Sequence, residues 1–91
     1  MSCWLYMVLA KNGGIYTGVA NDLAKRLQQH KSGKGSRYLR SFGYDKLIYA
    51  HEFPSKGAAM SQELKVKALS REEKLFLAKA CNEKVIKQYS V

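Results

Sequence analysis

Residues 4–10 read WLYMVLA, residues 11–14 read KNGG and residues 15–19 read IYTGV, and this stretch decides how the fold begins. The first and last runs are rich in aromatic and β-branched residues, which favour β-strands. The Asn-Gly pair between them is the strongest short-range signal for a β-hairpin. We therefore predict two antiparallel strands joined by a tight turn.

The length of this turn decides which side chains share a face of the hairpin. A two-residue turn at Asn12-Gly13 would place Tyr6 and Tyr16 on opposite faces. A three-residue turn that begins at Lys11 places them on the same face, with Gly13 in the left-handed conformation of a bulge. We choose the three-residue turn because it gathers the apolar residues on one core-facing side. That side consists of Leu5, Met7, Leu9, Ile15, Thr17 and Val19.

The opposite face of the hairpin carries both tyrosines. It consists of Trp4, Tyr6, Val8, Tyr16 and Gly18. In this register Tyr6 and Tyr16 are diagonal neighbours, within reach of each other. Gly18, directly opposite Tyr6, is expected to leave space above the sheet for a ligand or for another backbone.

A helix follows the hairpin and carries two further polar side chains. It begins at Asn21 or Asp22, both good N-caps, and one of the two glycines in residues 33–35 ends it. Arg26 and His30 are four residues apart, so they lie on one face of this helix. If the helix packs beside the hairpin, these two side chains can point toward the two tyrosines.

The second half of the chain predicts one more strand and two more helices. Residues 46–53 are typical of a third strand that Pro54 closes. Ser55 can cap a helix that runs from Lys56 to about Leu69. Apolar contacts of this helix are expected from Ala58, Ala59, Met60, Leu64, Val66 and Ala68.

A capping box opens the last predicted helix. Ser70 is its N-cap and Glu73 its N3 residue, and the helix continues to Ala80, with a break at residues 81–82 and a short amphipathic tail after it. We expect an α/β protein of the α+β type, a small three-stranded antiparallel sheet flanked by helices in the order β-β-α-β-α-α. Residues 1–91 are predicted to form a single domain.

The charge of the chain favours a polyanionic partner. Sixteen Lys and Arg residues against seven Asp and Glu residues give a net charge of +9. Residues 31–40 are interpreted as a flexible basic loop with one stacking ring, suited to a phosphate backbone. The alternative is a basic surface loop without a ligand, but nucleic acid is favoured because the loop directly follows His30. The candidate nucleic-acid-binding residues are Lys31, Lys34, Arg37, Tyr38 and Arg40.

Several classes of protein are not indicated. The apolar run near the N-terminus is short and Lys11 interrupts it, so we predict neither a signal peptide nor a membrane span. The two cysteines, Cys3 and Cys81, have no metal-binding spacing and do not suggest a disulfide framework. We therefore expect a cytoplasmic protein with reduced thiols, while the oligomeric state stays open.

At this point the order of motifs resembles the GIY-YIG nuclease domain. The literal Gly14-Ile15-Tyr16 does not carry the resemblance. The first family motif falls on Trp4-Leu5-Tyr6 and the second on Tyr16-Thr17-Gly18, and the helix with Arg26 and His30 follows. The size of the chain and the run from Gly33 to Arg40 are similar to the small single-domain UPF0213 branch.

The resemblance implies a catalytic site and a metal ion. The implied catalytic residues are Tyr6, Tyr16, Arg26, His30 and Glu63. Glu63 would bind Mg²⁺ or Mn²⁺, with water and phosphate oxygens completing the shell. From composition alone, Glu63 would instead form an intrahelical ion pair with Lys67. No small-molecule cofactor is implied.

Each implied residue has an expected role. Tyr6 would take a proton from the attacking water, with its pKa lowered by a metal-bound water, by Arg26 and by the positive field of the chain. Arg26 would bind the phosphoryl oxygens as charge builds on them. Tyr16 and His30 would orient the water or relay the proton.

Two functions remain open at this stage. The first is a metal-dependent endonuclease that cuts DNA, which is branched, nicked or single-stranded, in repair or DNA turnover. The second is a non-catalytic nucleic-acid-binding module that keeps the nuclease scaffold. The first is favoured because a carboxylate beside phosphate would repel it unless a cation lay between them.

Overall fold

The hairpin forms with the predicted three-residue turn. The computed structural model describes residues 2–80 and 83–89. Strands β1 (Cys3–Ala10) and β2 (Ile15–Ala20) pair antiparallel, with Tyr6 opposite Gly18. Gly13 has a φ of 87°, and the Ala10 N–H donates to the Gly14 carbonyl at 2.8 Å. Because only glycine adopts such a φ without strain, Gly13 provides the left-handed residue of the bulge, and the predicted register is confirmed.

The third strand completes an antiparallel sheet in which β1 is central. Strand β3 (Tyr44–Phe53) begins two residues before the predicted Lys46 and pairs with β1, so the strand order is β2-β1-β3. The Lys11 N–H donates to the Gly43 carbonyl at 3.0 Å, which ties the start of β3 to the hairpin turn. The predicted α+β class and its three-stranded sheet are confirmed.

Helix α1 (Leu23–Lys31) lies against the sheet face that carries Tyr6. Of the two candidate N-caps, Asp22 is the one that accepts the Lys25 N–H. Of the two candidate glycines, Gly33 is the one that follows the C-cap, with a φ of 82°. The apolar residues of α1 that face the sheet are Leu23 and Leu27.

The interpretation of residues 31–40 as one flexible loop is wrong for its second half. Residues Arg37–Phe42 form a short helix, α2, in which Ser36 is the N-cap and accepts the Leu39 N–H. Leu39 is 2% exposed and packs in the core, so it holds α2 against the sheet. Only residues 32–36 remain as a link between α1 and α2.

Three helices follow β3: α3 (Lys56–Lys67), α4 (Arg71–Lys79) and α5 (Glu83–Tyr89). The Ser55 cap and the Ser70–Glu73 capping box are confirmed. Among the apolar residues of α3, Ala59 and Val66 are buried, whereas Met60, Leu64 and Ala68 are exposed, which corrects the prediction that all of them pack. The predicted break at 81–82 lies outside the described residues. The predicted element order lacked α2 and treated α5 only as a tail.

Both faces of the sheet are buried, rather than the one predicted core face. Leu5 and Met7 pack against Val66 of α3 on the predicted side. On the other side Tyr6 and Val8 are fully buried beneath α1 and α2. Among the described residues, no helix has both the length and the apolarity needed to cross a bilayer.

Candidate active site

Two tyrosines and one histidine meet on the sheet face beneath α1. The Tyr6 and Tyr16 ring centroids are 6.3 Å apart, as the shared-face register predicts. The His30 ring, from α1, lies 5.7 Å from that of Tyr6 and 5.2 Å from that of Tyr16. The structure therefore brings together three of the residues predicted from sequence.

Gly18 makes this cluster possible because its missing side chain lets the Tyr6 phenol approach the β2 backbone closely. A Cβ atom at Gly18 would lie 2.8 Å from Tyr6 Oη and 3.1 Å from Tyr16 Cε2. These distances are shorter than side chains tolerate without shifting. The space expected above Gly18 for a ligand is thus filled by the tyrosines, which corrects that prediction.

A short hydrogen bond joins Tyr6 to His30. Tyr6 Oη and His30 Nε2 are 2.6 Å apart, and both residues are at most 1% exposed. Burial and the charge of Arg26 lower the pKa of His30 from 6.5 to about 4. Because His30 is neutral at pH 7, its ring carries one proton, and in the tautomer with that proton on Nδ1 the tyrosine hydroxyl donates to Nε2.

The proton of Tyr6 is held more tightly than the sequence led us to expect. Burial, and next the neighbouring Tyr16, raise the pKa of Tyr6 well above its ordinary value. Arg26 lowers this pKa, by its charge and by hydrogen bonding, but to a smaller extent. The expected low pKa is therefore wrong for the protein alone, because a phenolate loses more by desolvation than it gains from Arg26.

Arg26 lies on the same face of α1 as His30 and is half-buried. Its charge acts on both members of the hydrogen-bonded pair, favouring the ionised form of Tyr6 and the neutral form of His30. An anion bound beside Arg26 would oppose both effects. The arrangement thus combines a fixed cation with a hydrogen-bonded pair that can move a proton.

The link between α1 and α2 closes over the other side of His30. His30 Nδ1 is buried and makes no hydrogen bond within the described part of the chain. A Cβ atom at Gly35 would collide with this nitrogen and lie 2.8 Å from Cε1. Gly35 therefore allows the backbone of the link to pack directly on the imidazole.

Glu63 lies on α3, whereas the four residues above lie on β1, β2 and α1. Its carboxylate is 3.4 Å from Lys67 Nζ, so the intrahelical ion pair of the alternative interpretation forms. The Glu63 side chain is 14% exposed, against 54% for Lys67. Within residues 2–80 and 83–89, Glu63 makes no hydrogen bond to Tyr6, Tyr16 or His30.

The donor groups fit only a metal ion most of whose ligands are water molecules or substrate oxygens. The described residues contain no group of three or more His, Cys, Asp or Glu side chains that could hold an ion. A single carboxylate, such as that of Glu63, suits a hard cation like Mg²⁺, which dehydrates reluctantly and binds through one or two carboxylates plus phosphate. A zinc site closed by protein ligands does not fit these residues.

The predicted nucleic-acid-binding residues surround the link and α2. Lys34, Arg37 and Arg40 are exposed and line one polar pocket together with residues 32–36. Lys31 Nζ lies 5.6 Å from the ring centroid of Tyr44. The pocket is next to the candidate active site, because Gly35 contributes to both.

Tyr38, the predicted stacking ring, is half-buried against the hairpin turn. Its hydroxyl donates to Asn12 Oδ1 at 3.5 Å and occupies the position that a Cβ atom at Gly14 would take. Its ring packs on Phe42, with centroids 5.0 Å apart. Phe42, which the sequence analysis did not single out, is 48% exposed. The four-residue spacing from Tyr38 is the signal that could have identified it.

Comparison with known proteins gives consistent matches. Residues 2–75 match the model of the GIY-YIG catalytic domain. A UPF0213 protein of Oceanobacillus iheyensis is 39% identical over 74 residues, which cover 81% of this chain and 86% of the relative. For a UPF0213 protein of Cupriavidus pinatubonensis, identity is 40% over 77 residues, with 84% and 86% covered.

A solved structure also matches this fold. The solution NMR structure of a UPF0213 protein from Bacillus halodurans is 40% identical and gives a TM-score of 0.55. The match covers 87% of this chain and 84% of that chain.

Proposed function

The chain belongs to the GIY-YIG catalytic-domain family, and from this premise we propose that it is a metal-dependent endonuclease that hydrolyses phosphodiester bonds of DNA. The family, which the sequence motifs had indicated, supports a nuclease-type function on nucleic acid. The observation that carries the proposal is the 2.6 Å hydrogen bond between Tyr6 and His30, with Tyr16 packed against both rings.

The hydrogen-bonded pair activates water without forming a free phenolate. Once substrate binding admits the attacking water to the buried Tyr6 Oη, this oxygen accepts a proton from the water while its own hydroxyl proton passes to His30 Nε2. The water becomes the attacking hydroxide, Tyr6 stays neutral and His30 becomes the imidazolium. The negative charge of a bound phosphate offsets the charge of Arg26, so it raises the pKa of His30 from its low value in the free protein. Tyr16, at the edge of both rings, orients the water.

Arg26 and Glu63 act on the phosphate itself. The Arg26 guanidinium presents fixed donors to the phosphoryl oxygens as negative charge develops on them. Glu63 would hold Mg²⁺ or Mn²⁺, which when bound polarises the phosphate and stabilises the leaving oxygen. To do so its carboxylate must exchange Lys67 for the cation; an i,i+4 ion pair stabilises an isolated helix by about 0.2–0.5 kcal/mol.

We further propose the setting in which this activity operates. The basic residues beside the site suit a phosphate backbone, and because phosphate contacts carry no base sequence directly, they favour substrates recognised by shape. Branched, nicked or single-stranded DNA in the cytoplasm is such a substrate, and its cleavage serves repair or turnover.

One observation favours a second candidate, a nucleic-acid-binding module without catalysis. Glu63 is engaged by Lys67 and, within the described part of the chain, makes no hydrogen bond to the tyrosine cluster. A binding module would bind DNA with a steep salt dependence. Magnesium would change its affinity only by contributing to the ionic strength.

The two candidates differ in a cleavage assay. Labelled single-stranded, duplex and branched DNA are incubated with Mg²⁺ or Mn²⁺ and with wild type, Tyr6→Phe or Glu63→Gln. Both substitutions keep the shape of the side chain, and we expect each to reduce cleavage while DNA binding persists. Tyr6→Phe removes a proton-transfer group, which typically contributes at least about 100-fold. Glu63→Gln removes the carboxylate that would hold the metal ion.

Matched controls separate chemistry from packing. Tyr49→Phe changes a half-buried tyrosine on the other face of the sheet, and Glu72→Gln changes an exposed carboxylate in the first turn of α4. Both are expected to cut like wild type. Metal-independent cutting, or equal cutting by Glu63→Gln, would exclude the proposed role of Glu63. If wild type binds every substrate and cuts none, the binding module is the function.

A further inference from the structure

Phe42 is a large apolar side chain exposed in a strongly basic part of the surface. It is 48% exposed at the C-terminal end of α2, although α2 itself is well anchored through the buried Leu39. The Tyr38 ring supports Phe42 from one side, with the two ring planes inclined by 54°. Tyr38 is in turn held by its contact with Asn12. Phe42 is thus a ring presented to solvent on a fixed support.

The charge around this ring indicates what it contacts. Residues 23–44 contain six Lys and Arg residues and neither Asp nor Glu. Lys34, Arg37 and Arg40 are exposed and line the pocket at the start of α2. Phe42 comes two residues after Arg40 and five after Arg37, so the ring and these cations lie on different sides of the short helix. An aromatic ring on the same element as exposed cations suits single-stranded nucleic acid, since bases stack on the ring and cations bind the phosphates of the strand.

We propose that α2 binds one unpaired nucleobase, which stacks on Phe42, while Arg37 and Arg40 bind phosphates further along the same strand. This inference rests on the proposed function and specifies its substrate. Within a duplex both faces of each base are already stacked, so Phe42 discriminates in favour of single-stranded segments, including those at branches and ends. Gly35 packs on His30 and lines the same pocket as Arg37 and Arg40, so the part of the strand bound by these arginines lies beside the candidate active site.

The chain contains a matched control for this ring. Phe76 is 76% exposed on α4, whose Leu77 and Ala78 pack on the opposite face of the sheet from Leu39 of α2. Both phenylalanines are exposed, so their truncation to alanine should leave the fold intact. Circular dichroism and thermal unfolding verify this for each variant.

The test measures binding in the absence of divalent metal, so that no cleavage occurs. Fluorescence anisotropy gives the Kd of the full chain for a labelled oligothymidine, for the same strand with abasic sites, and for a blunt duplex. We expect Phe42→Ala and Phe42→Leu to weaken oligothymidine binding by about 5- to 150-fold, the loss expected for one base–aromatic stack. Phe42→Trp should bind like wild type, and Phe76→Ala should have no effect.

The nucleic acid provides a second, independent arm. The abasic strand should bind wild type as weakly as the normal strand binds Phe42→Ala, and duplex binding should change less than about twofold in every variant. Equal Kd values for wild type and Phe42→Ala, or equal losses on strand and duplex, overturn the inference while the nuclease proposal stands. Phe42-dependent strand binding without any metal-dependent cleavage supports the inference and overturns the nuclease. Failure of wild type to bind any DNA overturns both.

Discussion

His30 is a histidine that the fold holds in its neutral form. Its pKa is lowered from 6.5 to about 4, because burial and then Arg26 disfavour the imidazolium. Between these two pH values the unfolded chain binds a proton that the folded chain does not, so stability decreases as the pH falls from 6.5 toward 4. The charge of Arg26, which contributes to this lowering of the pKa, also favours the binding of an anion at the site.

The pH dependence of unfolding tests this description of His30. We expect the free energy of unfolding to fall by up to about 3 kcal/mol from pH 6.5 to pH 4, and His30→Gln to remove most of that decrease. Denaturant unfolding at a series of pH values measures it. His51→Gln, at an exposed position of β3, is the control and should keep the wild-type profile. A wild-type profile in His30→Gln would contradict the assignment.

At the scale of single residues, the sequence predicted the positions of the site side chains better than it predicted their pKa values. Strand alternation and the turn residue Gly13 were enough to place Tyr6 and Tyr16 on one face. The direction of the Tyr6 pKa was missed, because it depends on how completely α1 covers the phenol. Burial of that kind is a property of tertiary packing, and no local pattern encodes it.

At the scale of elements, the link between α1 and α2 couples the nucleic-acid surface to the candidate active site. Gly35 is the point of contact, because its backbone packs on the His30 ring. A side chain there must push the imidazole or the link outward. Any displacement of the ring lengthens its 2.6 Å hydrogen bond to Tyr6.

Gly35→Ala tests this coupling. The collision with His30 should lower the free energy of unfolding by about 1–3 kcal/mol, as overpacking of a filled core does. It should also shift the imidazole nitrogen resonances of His30, which NMR measures directly. Gly57→Ala is the control, since a Cβ atom at Gly57 in α3 meets nothing within 4 Å. Unchanged His30 resonances in Gly35→Ala would show that the link does not position the ring.

Helix α2 shows why short elements escape sequence analysis. It has six residues and only one buried side chain, Leu39, so no helical period can emerge from it. Glycines precede and follow it, and these favoured a loop. The Ser36 cap was a usable signal, but capping residues also occur in turns.

At the scale of the whole molecule, β1 is central in the sheet and packed on both faces. Its uninterrupted run from Leu5 to Leu9 is the pattern expected of a strand covered on two sides, although the register argument assigned a single core face. On one of these faces, Tyr6 of β1 and Tyr16 of β2 lie beneath α1, which carries Arg26 and His30. The basic residues lie on the link and α2, and the link packs over the His30 ring of this site.

A final prediction concerns which positive charges of the molecule contact DNA. If binding uses the α2 side, then Arg37 and Arg40 release counterions when they bind phosphates, and the net charge of +9 alone does not determine the salt dependence. Arg37→Gln with Arg40→Gln should reduce the slope of log Kd against log salt for single-stranded DNA by about 1.4, at roughly 0.7 per phosphate contact.

A charge-matched variant distinguishes local contacts from the general field. Lys56→Gln with Lys79→Gln removes the same two charges from exposed positions on α3 and α4. We expect this variant to keep the wild-type slope, since neither lysine belongs to the basic surface of the link and α2. Equal slopes in the two double variants would mean that DNA binding depends on net charge alone. They would contradict the placement of DNA on the α2 side. A reduced slope only for the arginine pair would place the phosphate backbone along α2, because counterions are released only where phosphates are contacted.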